Sequence, residues 1–178
     1  MDYYKQTLYI PHVDKDDTVL GKVERWKAHR EGILHRGFTV GVMFEDLFIC
    51  QHRKHPVFGG YLDLTASSHP LYIGEKIQSF EEAVYNTLER EWSLKRDDLS
   101  EPLEEKGKAY YYSKHGEYIE HEMCYFFLTK ATKLPLVNFE YAYGYSLLSL
   151  KDLEDTEAPY AGSVAPWVQE ALRQGLLK

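Results

Sequence analysis

The stretch from Ser67 to Glu91 constrains the fold most. It runs from a loop histidine, His69, through a Gly74-Glu75 turn into a helix whose start is marked. Ser79 and Glu82 stand three residues apart, the spacing of a capping box, so a helix opens at Phe80. Ala83, Val84, Leu88 and Trp92, with Thr87 among them, then repeat at the i, i+3, i+4 spacing of one buried face. Glu91 falls about 20° from Phe80 around that helix, inside the apolar stripe. A carboxylate there is costly unless something pairs with it. An ion pair to a buried arginine or lysine would answer that cost, and so would a metal ion.

Read in order, Thr7–Val13 is expected as a strand, Asp14–Asp17 as a turn and Val19–Val23 as its hairpin partner. A short helical stretch follows and stops near Gly32. It carries His29 and His35, which neither helix nor strand periodicity aligns. Phe38–Phe44 and Leu47–Gln51 read as a hairpin turning at Glu45-Asp46. The basic run His52-Arg53-Lys54-His55 suits a solvated loop, or a phosphate clamp if it borders a site. Tyr61–Ala66 is expected as a short strand delivering Ser67, Ser68 and His69. Asp97–Gly107, polar and charged, reads as a flexible connection.

Lys108–Ser113 and Glu117–Lys130 read as a second hairpin around His115-Gly116. Period-two alternation there puts Glu120, Glu122 and Cys124 on one face and Ile119, Met123 and Phe127 on the other. Two carboxylates on one face of an apolar strand repel each other and call for a cation. One of Leu134–Phe139 and Ala142–Leu148 is expected as a further strand. Ser149 begins a short helical element, and a last helix is capped near Ser163 and ended by Gly175.

With 178 residues, 44% of them hydrophobic, the chain can build one core, and no linker or repeat divides residues 1–178. A formal net charge of -7 argues against a nucleic-acid surface. Cys50 and Cys124 match no zinc or redox spacing and read as reduced, buried residues of a cytoplasmic protein. No apolar run approaches ~20 residues, so no membrane partner is expected. Fifteen tyrosines exceed what a core needs and suggest a pocket or an interface.

Five segments, taken in order, resemble the Nudix superfamily, and within it the type I isopentenyl-diphosphate isomerases. They are His29 with His35, the Ser67-Ser68-His69-Pro70 loop with Gly74-Glu75, the helix from Glu81 to Glu91, Glu120 to Cys124, and Ala165-Pro166-Trp167. The resemblance implies an α/β fold with a mixed β-sheet sandwiched between α-helices. It implies a divalent metal, zinc or manganese, on His29, His35, His69, Glu120 and Glu122, a set that suits such ions. A magnesium ion would bridge Glu91 and the diphosphate of a small-molecule substrate. Arg25 and Arg53, with Lys54 or His55 nearby, would bind that diphosphate, and Trp167 would face a carbocation. Tyr110 aligns best with the site tyrosine, Tyr111 and Tyr112 being alternatives.

The implied chemistry moves a carbon–carbon double bond by protonation and deprotonation, with Glu122 and a residue at position 67 as the proton carriers. Three features depart from the family. Serine replaces cysteine at Ser67, the first two histidines stand one residue closer, and Ser93 takes a glycine position. Neither Cys50 nor Cys124 falls where a substitute thiol is expected. The Nudix hydrolase signature keeps only Glu91 among the residues Asn86 to Ser93. A slow isomerase of a prenyl diphosphate, a diphosphate hydrolase and a catalytically weak metal- and diphosphate-binding protein all remain open at this point.

Overall fold

A computed structural model describes residues 3–178. Strands β1 (Tyr9–Val13) and β2 (Val19–Glu24) form the expected first hairpin. The Asp14 carboxylate tightens its turn by accepting from the amides of Asp16 and Thr18. The chain enters α1 (Arg25–Glu31) at once, capped by the Glu24 side chain on the amides of Trp26 and Lys27. Gly32 ends the helix in the left-handed conformation, φ 64°, which an L side chain would resist.

β3 (His35–Phe44) and β4 (Leu47–Arg53) form the second hairpin. Next come β5 (Ala66–Ser68), the small ribbon of β6 (Tyr72–Ile73) and β7 (Lys76–Ile77), and α2 (Phe80–Trp92). The long hairpin of β8 (Glu104–His115) and β9 (Tyr118–Lys130) leads to β10 (Ala142–Leu148), α3 (Leu150–Glu154) and α4 (Pro166–Gln174).

β3 organises the sheet. It pairs antiparallel with β1, β4 and β5 and parallel with β9, so the sheet is mixed. One face packs Phe38, Val40 and Phe127 under Val84, Leu88 and Trp92 of α2. The other packs Phe48, Cys124 and Phe126 under Trp167, Val168 and Ala171 of α4. The architecture is the expected α/β sandwich. Alternation along β9 buries Glu120 and Glu122 on the α4 side, in line with Cys124. Helix α2 follows the sequence reading closely: its capping box is formed, and Ala83, Val84, Thr87, Leu88, Glu91 and Trp92 are its buried residues. The Trp92 indole also donates to the Thr65 carbonyl at 2.7 Å, locking the helix to the segment before β5.

Three segments differ from expectation, and one open choice is resolved. Tyr61–Thr65 is no regular strand; Leu62 alone bridges to His52 and Val164, and β5 starts at Ala66. Its backbone still bonds β4, with the Asp63 amide donating to the Gln51 carbonyl at 3.0 Å and the Arg53 amide to that of Tyr61 at 2.9 Å, while the Asp63 carboxylate is held by Arg53 and Trp167. The polar stretch before Lys108 is partly strand, since β8 begins at Glu104 opposite Leu128. Its polarity reflects an edge position, where charge blocks further pairing. Of the two uncertain segments, Ala142–Leu148 is the strand, paired with β4. Finally, α4 starts at Pro166 with Ala165 at its N-cap, because Ser163 is held in a 3-10 turn, its carbonyl accepting from the Leu62 amide. No helix among the described residues is long and apolar enough to cross a membrane.

Candidate metal centre

The two histidines that no single periodicity could align meet because the chain turns at Gly32. His29 closes the last turn of α1, and His35 opens β3 on the far side of that turn. His69 arrives from the loop after β5. The three rings form a triangle, with centroids 4.7 Å apart for His29 and His35, 5.2 Å for His29 and His69, and 5.1 Å for His35 and His69. Glu122 closes the group, and one donor atom from each of the four residues lies within 4.8 Å of the others. Glu120 flanks it, with Oε2 3.4 Å from His29 Nε2.

The hydrogen bonds around the cluster test whether a cation fits. His29 Nδ1 lies 2.7 Å from the Arg25 carbonyl, and His35 Nδ1 lies 2.7 Å from that of Ile33. A carbonyl can only accept, so in each neutral ring the proton sits on Nδ1 and the Nε2 lone pair points inward. There it meets carboxylate oxygens, which also only accept. His35 Nε2, 3.3 Å from Glu122 Oε1, is buried and makes no hydrogen bond. Lone pairs facing lone pairs in a buried space fit a metal ion, and orienting each ligand histidine through its other nitrogen is how such sites are built. Three imidazoles with carboxylates suit zinc or manganese.

Protons are the only other remedy, and the site gives them unevenly. Burial depresses His69 to about 4, against the opposing pull of Glu122. For His29 burial acts in the same sense but loses to the Glu120 charge and hydrogen bond, so its pKa is raised. Glu122 is penalised by burial, yet His35 and His69 hold its carboxyl well below the usual range. It therefore stays ionised.

A backbone feature makes room for Glu122. A Cβ built on Gly37 of β3 would stand 2.4 Å from Glu122 Oε2 and 2.8 Å from Oε1. Glycine is thus required where the carboxylate lies against the strand. Tyr111, the register partner of Glu122 across β8 and β9, donates its hydroxyl to Oε2 at 2.6 Å. Tyr110 points the other way, 44% exposed, with its hydroxyl on His121. Period-two alternation explains the correction: the tyrosine that shares a face with Glu122 is Tyr111.

Two small cavities adjoin the cluster and share Ser67, His69, Arg53 and His55 in their walls. One contains Tyr111, Glu120, Glu122 and Trp167; the other contains Arg25, Trp26 and Glu91. Arg53 is buried and paired with Asp63 Oδ2 at 2.6 Å, over the Trp167 ring at 4.9 Å. Trp167 is fixed in turn by its indole donating to Asp63 Oδ1 at 2.7 Å. Arg25 is buried and directs its guanidinium to the main-chain carbonyls of Tyr3 and Tyr4. Lys54 lies outside both cavities, donating to the Phe139 carbonyl at 2.7 Å, and His55 takes its place in the wall.

Glu91 is buried and shares a cavity wall with Arg25, Arg53, His29 and His69 without joining the four-residue cluster, and its carboxylate is paired with Arg90 at 2.8 Å. Burial raises its pKa, with Arg90 opposing. The ion-pair answer to its cost on the apolar stripe therefore has a partner in place. Ser67 Oγ lies 2.8 Å from Thr39 Oγ1, which in turn is 3.5 Å from Cys124 Sγ. Cys124 lines neither cavity, and burial together with Glu122 pushes its thiol well up.

Gly37, Asp63 and Arg90 were missed in the sequence. A glycine inside a strand and an aspartate inside the run Tyr61–Ala66 were available signals. Nothing in sequence marked Arg90, or Tyr3 and Tyr4.

These elements define an α/β protein with a histidine–carboxylate centre at the end of the sheet's middle strand. Solved structures place that architecture. No family model matches the chain, and no curated protein does. The protein DR0079 of Deinococcus radiodurans superposes on it with a TM-score of 0.71 at 18% identity, over 93% of this chain and 98% of its own. A MutT Nudix hydrolase from Burkholderia pseudomallei gives 0.60 at 17% identity, over 79% of this chain and 97% of its own. The MutT protein of Methanosarcina mazei gives 0.59 at 12% identity, over 79% and 91%. At these identities the likeness is one of fold. The chain has the Nudix fold.

Proposed function

We propose that this protein is a metal-dependent enzyme acting on a small molecule that carries a diphosphate, and that it shifts the double bond of a short prenyl diphosphate such as isopentenyl diphosphate. The observation that carries the reading is the convergence of His29, His35, His69 and Glu122, with His35 Nε2 buried and without a hydrogen bond. When bound there, a zinc or manganese ion would hold the Glu122 carboxylate in one orientation and polarise it. Glu120 would complete the ligand set.

The chain's own groups would do the rest. Glu122 and Ser67 line one cavity and would carry the protons, with Tyr111 donating to Glu122 and holding its carboxylate still. Arg25 and Arg53 would take the diphosphate, and Glu91 would share a magnesium ion with it. The Trp167 ring, fixed through Asp63, would face developing positive charge.

A second reading, cleavage of a diphosphate bond, is favoured by two features. Ser67 is a poor acid or base near neutral pH, and the carboxylate that reaches its hydroxyl beside Thr39, Asp63, is already engaged by Arg53 and Trp167. The Burkholderia pseudomallei neighbour is described as a hydrolase.

Proton and phosphorus NMR of the protein with isopentenyl diphosphate, Zn²⁺ and Mg²⁺ in deuterated water decides between them. Dimethylallyl signals with deuterium uptake support the isomerase. Released phosphate or pyrophosphate supports the hydrolase. An unchanged substrate with an intact metal site rejects prenyl chemistry.

A further inference from the structure

Both cavities are too small for the ligand they would serve. Each has about 20 Å³ of free space, the room of one water molecule. What fills the larger approach is a 3-10 turn at Tyr3–Lys5. Its tyrosines line the cavity with Arg25, Arg53 and Glu91.

Cationic and aromatic groups are among the contacts of this turn. Arg25 donates to the Tyr3 carbonyl at 3.1 Å and to the Tyr4 carbonyl at 3.4 Å, and Trp26 Nε1 donates to the Tyr4 carbonyl at 2.8 Å. The Tyr3 ring covers two guanidinium groups, Arg25 at 4.7 Å and Arg90 at 4.0 Å. The Tyr4 ring stands edge-on to His55 at 4.8 Å and to Tyr141 at 5.8 Å.

Arg25 is poorly compensated in this state. It is buried, its Nε has no partner, and its donors meet neutral carbonyls. Burial accordingly lowers its pKa. A guanidinium satisfied by two carbonyl oxygens would be better satisfied by two anionic oxygens, which bind it about twice as strongly.

We propose that the Tyr3–Lys5 turn is a displaceable plug, in which the carbonyls of Tyr3 and Tyr4 occupy the place of anionic oxygens on Arg25 and leave when a diphosphate enters. The proposal rests on the diphosphate reading of the pocket and adds a step to it. Resting protein is closed, and ligand entry uncovers Arg25 and Arg90 together. The turn thereby holds the arginine side of the pocket until a ligand that binds Arg25 more strongly than both carbonyls arrives.

The test uses the full chain loaded with Zn²⁺ and inorganic pyrophosphate as the probe. Hydrogen exchange reads the amides of residues 3–8, and calorimetry reads affinity for wild type and a Tyr3→Ala/Tyr4→Ala variant whose melting confirms that it is folded. A plug predicts faster exchange at those amides on binding, and about tenfold tighter binding by the variant, which keeps the two carbonyls but loses the Tyr3 ring over Arg25 and Arg90, roughly the weight of one cation–π contact. Binding by the variant alone would show the same plug in a stronger form. Pyrophosphate binding with unchanged or slowed exchange would make the turn a fixed wall and overturn the plug while leaving the diphosphate reading intact. Binding to neither protein would remove both.

Discussion

Tyr111 and Glu122 face each other across the β8–β9 ladder, and the phenol donates to the carboxylate at 2.6 Å. Both are buried, so the bond forms without competition from water. Burial and the Glu122 charge raise the Tyr111 pKa well above its ordinary value, which keeps the phenol a donor at any working pH. One oxygen of Glu122 is thus held by Tyr111 while the other, Oε1, faces His35 and His69. A carboxylate oriented in this way is prepared to bind a cation on one side only.

Tyr111→Phe removes the donor without changing the packing volume much. Zn²⁺ affinity, measured by calorimetry, is expected to fall about 10–100-fold, the usual cost of losing a group that orients a metal ligand. Tyr110→Phe, on the exposed face, is the control and should leave affinity unaltered. Equal losses from both would show that the tyrosine acts through strand stability.

Gly37→Ala tests the seat of the same carboxylate. The added methyl lies 2.4 Å from Glu122 Oε2, so the carboxylate must move. It is the end of a flexible side chain, and the fold should survive with a melting temperature close to wild type. Metal affinity should drop at least tenfold, because a displaced ligand cannot meet His35 and His69 together. A stable variant with full affinity would exclude Glu122 from the metal centre.

Those two residues also show how far the sequence could be read. Helix α2 was legible to its cap because Ser79, Glu82 and the apolar stripe are local signals. Glu120 and Glu122 were legible as a pair because alternation is a short-range rule. His29 and His35 were visible as residues, but their meeting depends on the left-handed Gly32 turn and on the parallel pairing that sets His35 opposite Glu122. The choice among Tyr110, Tyr111 and Tyr112 needed the β8–β9 register, which only the hairpin fixes. Tyr3 and Tyr4 reach Arg25 through tertiary packing alone, and no periodicity encodes that contact.

Asp17 offers a pH prediction away from the metal centre. In the turn before β2 it receives Arg36 Nε at 2.9 Å, Lys108 Nζ at 3.0 Å and the Tyr125 hydroxyl, tying the first hairpin to β3, β8 and β9. Burial opposes its ionisation, but the hydrogen bonds from Tyr125, Arg36 and Lys108 prevail and lower its pKa. A carboxyl depressed in the folded state stabilises the protein above its unfolded pKa of about 3.9 and loses that contribution as the pH falls through the folded value. Asp17→Asn keeps a residue type that tolerates the positive φ of 66° found here. Denaturant unfolding at pH 7 should show a loss of about 1–3 kcal/mol, and the gap to wild type should close in acid. A gap that stays constant with pH would assign the loss to packing.

Ser67→Cys asks which chemistry the pocket performs. Ser67 lines the cavity that holds Glu122 and Trp167, and its hydroxyl is engaged with Thr39 at 2.8 Å. A hydroxyl does not ionise near neutral pH, whereas a thiol has a pKa of about 8.5 and exchanges protons readily. If the pocket moves a double bond by proton transfer, the thiol should raise the rate of deuterium uptake from solvent into isopentenyl diphosphate at least tenfold, with a new alkaline limb in the pH profile. Phosphate release by a hydrolase would gain nothing from the change, since position 67 then carries no proton in the slow step. Glu122→Gln completes the comparison, because it removes the ionised carboxylate from either reaction and should abolish both. A Ser67→Cys variant that takes up no more deuterium than wild type, while Glu122→Gln stops phosphate release, would assign the centre to hydrolysis.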